Sequence, residues 1–89
     1  MLRRSLQISP RDNVKTVLED CCKGDVIETP DGLLTLRDNV QFGHKVLIRD
    51  LKNGEPVIKY GEEIGRVTAN TPKGTWVHTH NMSCQRGTR

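Results

Sequence analysis

From Gly24 to Gly74 the chain is interrupted at short intervals by glycine or proline: Gly24, Pro30, Gly32, Gly43, Gly54, Pro56, Gly61, Gly65, Pro72 and Gly74. Long helices do not survive such punctuation, because an interior glycine costs about 1 kcal/mol and a proline about 3 kcal/mol. Between the breaks lie short runs: Val26-Ile27, Leu33 to Leu36, Val40 to Phe42, Lys45 to Ile48, Val57 to Tyr60, Ile64 to Val67 and Trp76 to His80. Runs of this kind, bounded by turn residues, predict short strands. Pro30-Asp31-Gly32 is the clearest turn, since proline presets φ and glycine accepts positive φ. The pattern predicts a compact, irregular, mainly β fold, without an internal repeat or a low-complexity linker.

Ahead of Gly24 the pattern changes. Leu2, Leu6 and Ile8 alternate weakly with Arg3, Ser5 and Gln7, which predicts an edge strand. Ser9-Pro10-Arg11-Asp12-Asn13 then brings residues that start helices. Val14, Val17, Leu18 and Cys21 fall at i, i+3, i+4 and i+7, one apolar stripe of a short helix over roughly Asn13 to Cys22. Gly24 would end that helix in the left-handed position.

Eighty-nine residues make one domain, residues 1–89, with a tail from about residue 82 and a frayed end or linker from about Gln85. A chain of this size buries only roughly 60% of its unfolded surface. Hydrophobic residues are 34% of the chain, and Phe42, Tyr60 and Trp76 are its only Phe, Tyr and Trp, so the core is thin. It has little left to surround a substrate, whose pocket takes roughly 300–1,000 Å³. A module completed by a partner fits better than a lone catalyst.

The net charge of +3 is mild, and basic and acidic residues interleave, as in Lys59, Glu62, Glu63 and Arg66. A nucleic-acid binder shows a continuous basic stripe with aromatics for stacking, so no nucleic-acid partner is expected. No run approaches the ~18 apolar residues of a membrane span, and no apolar signal core follows Arg3-Arg4. The chain therefore reads as cytoplasmic and not membrane-bound. Cys21, Cys22 and Cys84 are odd in number with two adjacent, a poor disulfide framework that reads as reduced thiols.

Trp76-Val77-His78-Thr79-His80-Asn81 holds the most chemistry. On a strand, His78 and His80 project to one side beside Trp76. Two imidazoles so placed can serve one metal ion or one substrate, or can be two surface histidines on an edge strand. A metal site held by this chain alone needs at least a third ligand. His44 and Cys84 lack diagnostic spacing, so no metal site is expected in this chain. In Lys59-Tyr60-Gly61-Glu62-Glu63-Ile64-Gly65 the glycines permit a tight bend that carries Lys59 and Tyr60 to one rim; a plain turn with a solvated lysine is the alternative. Gly43-His44-Lys45 is a turn glycine followed by two basic side chains entering a strand. Cys21-Cys22 lacks the Cys-x-x-Cys spacing of redox sites, and Cys21 reads as packing.

Four segments stand in order: Asp12-Asn13-Val14, Gly43-His44-Lys45-Val46, Gly54 through Gly65, and Val77-His78-Thr79-His80-Asn81. Over essentially residues 8 to 81 they resemble the SAF-type (β-clip) N-terminal domain of the altronate and galactarate dehydratase family. The small subunit of sulfolactate sulfo-lyase is similar. The resemblance implies a β-clip, short bent strands folded back on themselves, with one short helix. It also implies loss of water across two carbons, beginning with the proton α to a carboxylate. That proton is weakly acidic, so the developing enediolate needs a cation and a base nearby. Iron(II) or another divalent metal is expected in a large dehydratase subunit or domain, with no cofactor bound by this chain alone.

By the same resemblance, His78 and His80 match the Val-His-x-His-Asn pair and are the expected catalytic residues, as histidine titrates near neutrality. Lys59 matches Lys-Tyr-Gly and is expected to steer a substrate carboxylate. His44 matches Gly-His-Lys, in a structural or a substrate-facing role, and Asn81 is expected to orient a histidine or bond a substrate hydroxyl. Trp76 stands where some members carry another histidine, and Ser9 where altronate-type members often carry one. Neither a three-histidine site nor a particular sugar acid is therefore implied. The leading expectation is a small subunit or N-terminal domain of a hydro-lyase acting on a hexonate or hexarate, with a large partner and room for a homo-oligomer. The alternatives are a sulfolactate-type sulfo-lyase subunit and a non-catalytic β-clip binding module.

Overall fold

Valine dominates the buried positions: Val14, Val17, Val40, Val46, Val57, Val67 and Val77 are each at most 1% exposed. Branching at Cβ favours extended backbone, where such side chains pack well on a pleated surface. The computed structural model describes residues 1–84 and builds them entirely from strands, bridges and turns. In chain order the strands are β1 (Ser5–Leu6), β2 (Val14–Val17), β3 (Val26–Thr29), β4 (Gly32–Thr35), β5 (Lys45–Leu47), β6 (Pro56–Lys59), β7 (Glu62–Val67), β8 (Trp76–Val77) and β9 (Met82–Ser83).

A four-stranded antiparallel sheet runs in the order β1-β2-β5-β8, with β1 at an edge but shorter than the strand read from Leu2 to Ile8, whose apolar residues Leu2, Leu6 and Ile8 are exposed. Its ladder sets Val14 opposite Leu47, Lys15 opposite Val46, Lys45 opposite Val77 and Val46 opposite Trp76. The hairpin β3-β4 turns at Pro30-Asp31, as expected, and β6-β7-β9 forms a third sheet. Strand alternation divides the core in two. Val17, Val46 and Ile48 join Cys21, Ile27, Leu34, Leu36 and Val40 in one cluster, with Trp76 packed against it. Val14, Leu47 and Val77 join Val57 and Val67 in the other, against which Leu51, Ile64 and Met82 pack. The central sheet is thus buried on both faces.

That double burial explains why the helix expected over Asn13 to Cys22 does not form. Val14 and Val17 lie on opposite faces of β2 and feed different clusters. Their i, i+3 spacing imitates a helical stripe, but each side chain is satisfied only if the backbone is extended. The expected capping residues are also engaged elsewhere. The Asp12 carboxylate accepts from the Ser9 and Gly61 amides at 3.0 and 2.8 Å. The Asn13 amide donates to Pro56 O and accepts from Ile58 N, tying β2 to β6. Cys21 is core packing, as read, but through a bridge to Val40.

The structure also corrects the expectation of no internal repeat. Gly24 and Gly54 donate to Leu36 and Val67, while Leu36 and Val67 donate back to Asp25 and Glu55. Cys21 exchanges two main-chain bonds with Val40, and Leu51 does the same with Thr71. Side chains repeat the scheme: Asp20 caps Phe42 N and Asp50 caps Lys73 N, while Asn39 accepts from Lys23 N and Asn70 from Asn53 N. The region from Val17 to His44 is therefore built again from Leu47 to Thr75. The second copy is longer by a residue because β7 carries a bulge opposite Val57-Ile58.

Some boundaries differ from expectation. The strand read over Trp76 to His80 stops at Val77, and Val40 forms a bridge where a strand over Val40 to Phe42 was expected. Residues 82 and 83, read as the start of the tail, form β9, which pairs Ser83 with Arg66 and Met82 with Val67. Gly65 makes room for that pairing: a Cβ there would stand 2.6 Å from Ser83 O and 2.8 Å from Met82 Cγ. Residues 85–89, where a frayed end was expected, lie outside the described residues.

Candidate functional site

The chain leaves β8 and enters a tight turn from His78 to Asn81. Asn81 N donates to His78 O, and the Asn81 side chain closes the turn twice, accepting from His78 N at 3.0 Å and donating to Trp76 O at 2.9 Å. Asn81 is thereby engaged in shaping the segment that carries both histidines. The two imidazoles do share the neighbourhood of Trp76, but through this turn and not through strand alternation. His78 stacks on the indole with centroids 5.7 Å apart and planes 11° apart, and His80 lies 4.6 Å away at 41°.

His44 reaches the same place from the start of β5, after Gly43 turns at a φ of +87°. Its ring is 5.1 Å from His78 and 5.6 Å from Trp76. Trp76 Nε1 donates to His44 Nδ1 at 3.2 Å. A ring nitrogen that accepts this bond carries no proton, so the contact suits the His44 tautomer with its N–H at Nε2. His44 thus joins His78 and His80, from a distant part of the chain, around one indole. His44 and His78 are half-buried, and His80 is exposed.

Burial lowers the His78 pKa from its ordinary 6.5, and the charges of Lys45, His44 and His80 lower it further. Lys45 is half-buried, and its own pKa is lowered first by burial and then by Lys59, with Cys84 acting in the opposite sense. Lys59 ends β6 with its Nζ 5.2 Å from the centroid of Tyr60. Tyr60 and Gly61, at φ +57° and +74°, form the two-residue loop between Lys59 and Glu62, so the expected tight bend is present. Positive φ at both central residues is the hairpin geometry that glycine and asparagine favour, and an exposed tyrosine there is strained.

Among the described residues, no group of three or more His, Cys, Asp or Glu side chains is arranged to hold a metal ion. The structure brings His44, His78 and His80 together and places Asn81 behind the turn, while among the described residues no hydrogen bond, ion pair or ring contact ties Lys59 to this cluster. Lys45 and Trp76 were not singled out as site residues from the sequence. The motif Gly43-His44-Lys45 held the signal for Lys45, while the contact of Trp76 with His44 arises only when two distant segments converge.

A family model of the altronate/galactarate dehydratase SAF domain matches residues 3–85. The chain belongs to this family. Altronate dehydratase of Escherichia coli strain K12 is 38% identical over 76 residues, 85% of this chain and 15% of that enzyme. Galactarate dehydratase (L-threo-forming) of the same strain is 32% identical over 72 residues, 81% of this chain and 14% of that enzyme. The alpha subunit of (2R)-sulfolactate sulfo-lyase from Paracoccus pantotrophus is 41% identical over 59 residues, 66% of this chain and 88% of that subunit. This SAF domain thus spans about 15% of the altronate dehydratases it matches. It is mainly β, and it is related to lyases as a domain. Among the described residues no helix is long and apolar enough to cross a membrane.

Proposed function

We propose that this SAF domain completes the active site of a sugar-acid hydro-lyase whose larger chain supplies the rest of the machinery. The observation that carries this reading is the ring cluster: three imidazoles gathered on Trp76, with His78 biased towards its neutral form. Neutral imidazole is the form that accepts a proton. His78 takes the proton α to the substrate carboxylate. The electrons of that C–H bond form the carbon–carbon double bond, and the β-hydroxyl leaves as water with a proton from His80. The resulting enol tautomerises to a keto acid.

Lys59 on the rim steers the carboxylate, and His44 offers its Nε2–H to a substrate oxygen. Asn81 positions the turn, a role that its two hydrogen bonds support over direct contact with substrate. Iron(II) or another divalent metal belongs to the partner, where it would stabilise the developing enediolate. The substrate is a hexonate or hexarate. The free thiols of Cys21, Cys22 and Cys84 support a cytoplasmic setting.

A second reading keeps the same module and changes the leaving group to sulfite. The match over 88% of a sulfolactate sulfo-lyase alpha subunit favours it. Activity assays separate the two. Purified alone with iron(II), the chain should not dehydrate altronate or galactarate, while the complex with its large partner should turn over one of them. Robust turnover by the isolated chain would refute the site-completing role. A complex that releases sulfite from sulfolactate and water from neither acid would establish the second reading.

A further inference from the structure

In the proposed mechanism Trp76 is only the platform for three imidazoles, yet its own placement is fixed from several sides. Its backbone N–H donates to the Asp38 carboxylate at 2.9 Å, and its carbonyl accepts from the Asn81 side chain at 2.9 Å. In the ladder it stands opposite Val46, and its half-buried side chain packs against the first core cluster. The fold thus aims the indole independently of the histidines.

An indole N–H can only donate, and when partly buried it requires an acceptor. Trp76 Nε1 finds one in His44 Nδ1 at 3.2 Å, with the two rings edge to face at 64°. Among the described residues this is the only hydrogen bond that the His44 ring makes. A neutral imidazole carries its proton on either nitrogen, and the bond made by one nitrogen decides the state of the other. A proton on Nδ1 would set two donors against each other. The indole therefore favours the form with its N–H at Nε2 and leaves that donor without a partner in the chain. The same indole lies nearly parallel to His78, at 11° between planes, and His44 and His78 are 5.1 Å apart.

We propose that Trp76 is a positioning residue: its indole N–H selects the His44 tautomer that presents Nε2–H, making His44 a hydrogen-bond donor to a substrate oxygen beside His78. This deepens the hydro-lyase reading and rests on it for the place of the substrate. It gives the two neighbouring rings opposite tasks, His44 donating while His78 accepts. The group that meets His44 must then be an acceptor, a carboxylate or a hydroxyl oxygen.

The test reads tautomers from the ring-nitrogen NMR shifts of the isotope-labelled 89-residue chain, at about pH 8.5 where histidine is neutral. In the unmodified chain His44 should show a protonated Nε2 and an acceptor Nδ1. Trp76→Phe keeps a ring beside His78 and against the core but removes the N–H. The two His44 nitrogen shifts should then move towards each other as both tautomers become populated. His44→Phe reads the same bond from the other end: the indole N–H, stripped of its acceptor, should exchange with water at least about tenfold faster. A His44 proton on Nδ1 or a mixture of tautomers in the unmodified chain would overturn the role of Trp76. Unchanged His44 shifts in a Trp76→Phe chain whose amide spectrum shows it folded, or unchanged indole exchange in His44→Phe, would do the same. Because tautomers are read without catalysis, those outcomes leave the proposed proton transfer by His78 standing. A fixed Nε2–H tautomer in a chain whose complex eliminates neither water nor sulfite would uphold the positioning and refute the hydro-lyase reading.

Discussion

Replacing Asp12 tests how the site's rim is held in place. Asp12 is 3% exposed, and its carboxylate joins the turn at Ser9 to the Tyr60-Gly61 loop through two amide donors at 3.0 and 2.8 Å. Asp12→Ala leaves both partly buried N–H groups without their acceptor. Hydrogen bonds to a charged group contribute about 1.5–3 kcal/mol each, and part of that is recovered as water enters, so the loss should be about 2–4 kcal/mol. A domain of this length holds roughly 4–13 kcal/mol in all. At about 4–8 °C per kcal/mol, the melting temperature should fall by at least about 8 °C. Asp12→Asn keeps one acceptor oxygen and should lose roughly half as much.

The assay is urea unfolding followed by Trp76 fluorescence, repeated across acid pH. Burial alone would raise the Asp12 pKa, but the amides of Gly61, Ser9, Tyr60 and Ile8 outweigh it and hold the group below its ordinary 3.8. The folded carboxyl thus titrates below the unfolded one. Its stabilisation is complete above the unfolded value and is lost as pH falls through the lower, folded value. Asp12→Ala should lack that acid-dependent component. A loss under about 1 kcal/mol at neutral pH would refute the clamp.

Two further outcomes follow from the same packing. Gly65→Ala drives a Cβ into Ser83 O and Met82 Cγ, and should cost about 1–3 kcal/mol and speed amide exchange in β9; unchanged exchange at Met82 and Ser83 would contradict the close approach. His78 should titrate below 6.5, and Lys45→Met should move it upward. Because its folded pKa is depressed, stability should decline as pH falls through that value, and a His78 pKa at or above 6.5 would contradict the burial and charge argument.

The mainly β character was legible because turn residues and β-branched runs each act locally. Pro30-Asp31 and Tyr60-Gly61 sit where the punctuation puts them. The helix was misread at Val14 and Val17 because periodicity assumes one buried face, whereas β2 is covered on both. The repeat escaped notice because its two halves agree mainly where the backbone needs an acceptor or a positive φ. Asp20 and Asp50, Gly24 and Gly54, Asn39 and Asn70, Gly43 and Gly74 correspond, and the bulge in β7 shifts the spacing between them. His78 and His80 were legible as a pair. Their convergence with His44 was not, because it depends on β5 and β8 lying side by side.

The most direct test of the central claim compares His78→Gln, His80→Gln and His44→Gln in complexes with the large partner shown by size exclusion to be intact. If His78 or His80 moves a proton during elimination, its replacement should lower kcat by about 10²–10⁴-fold. A histidine that only packs against Trp76 would change stability or assembly and leave the kcat of the intact complex unchanged. Near wild-type kcat in both His78→Gln and His80→Gln would contradict the account, and a loss confined to His44→Gln would move the chemistry to the Gly43-His44-Lys45 turn.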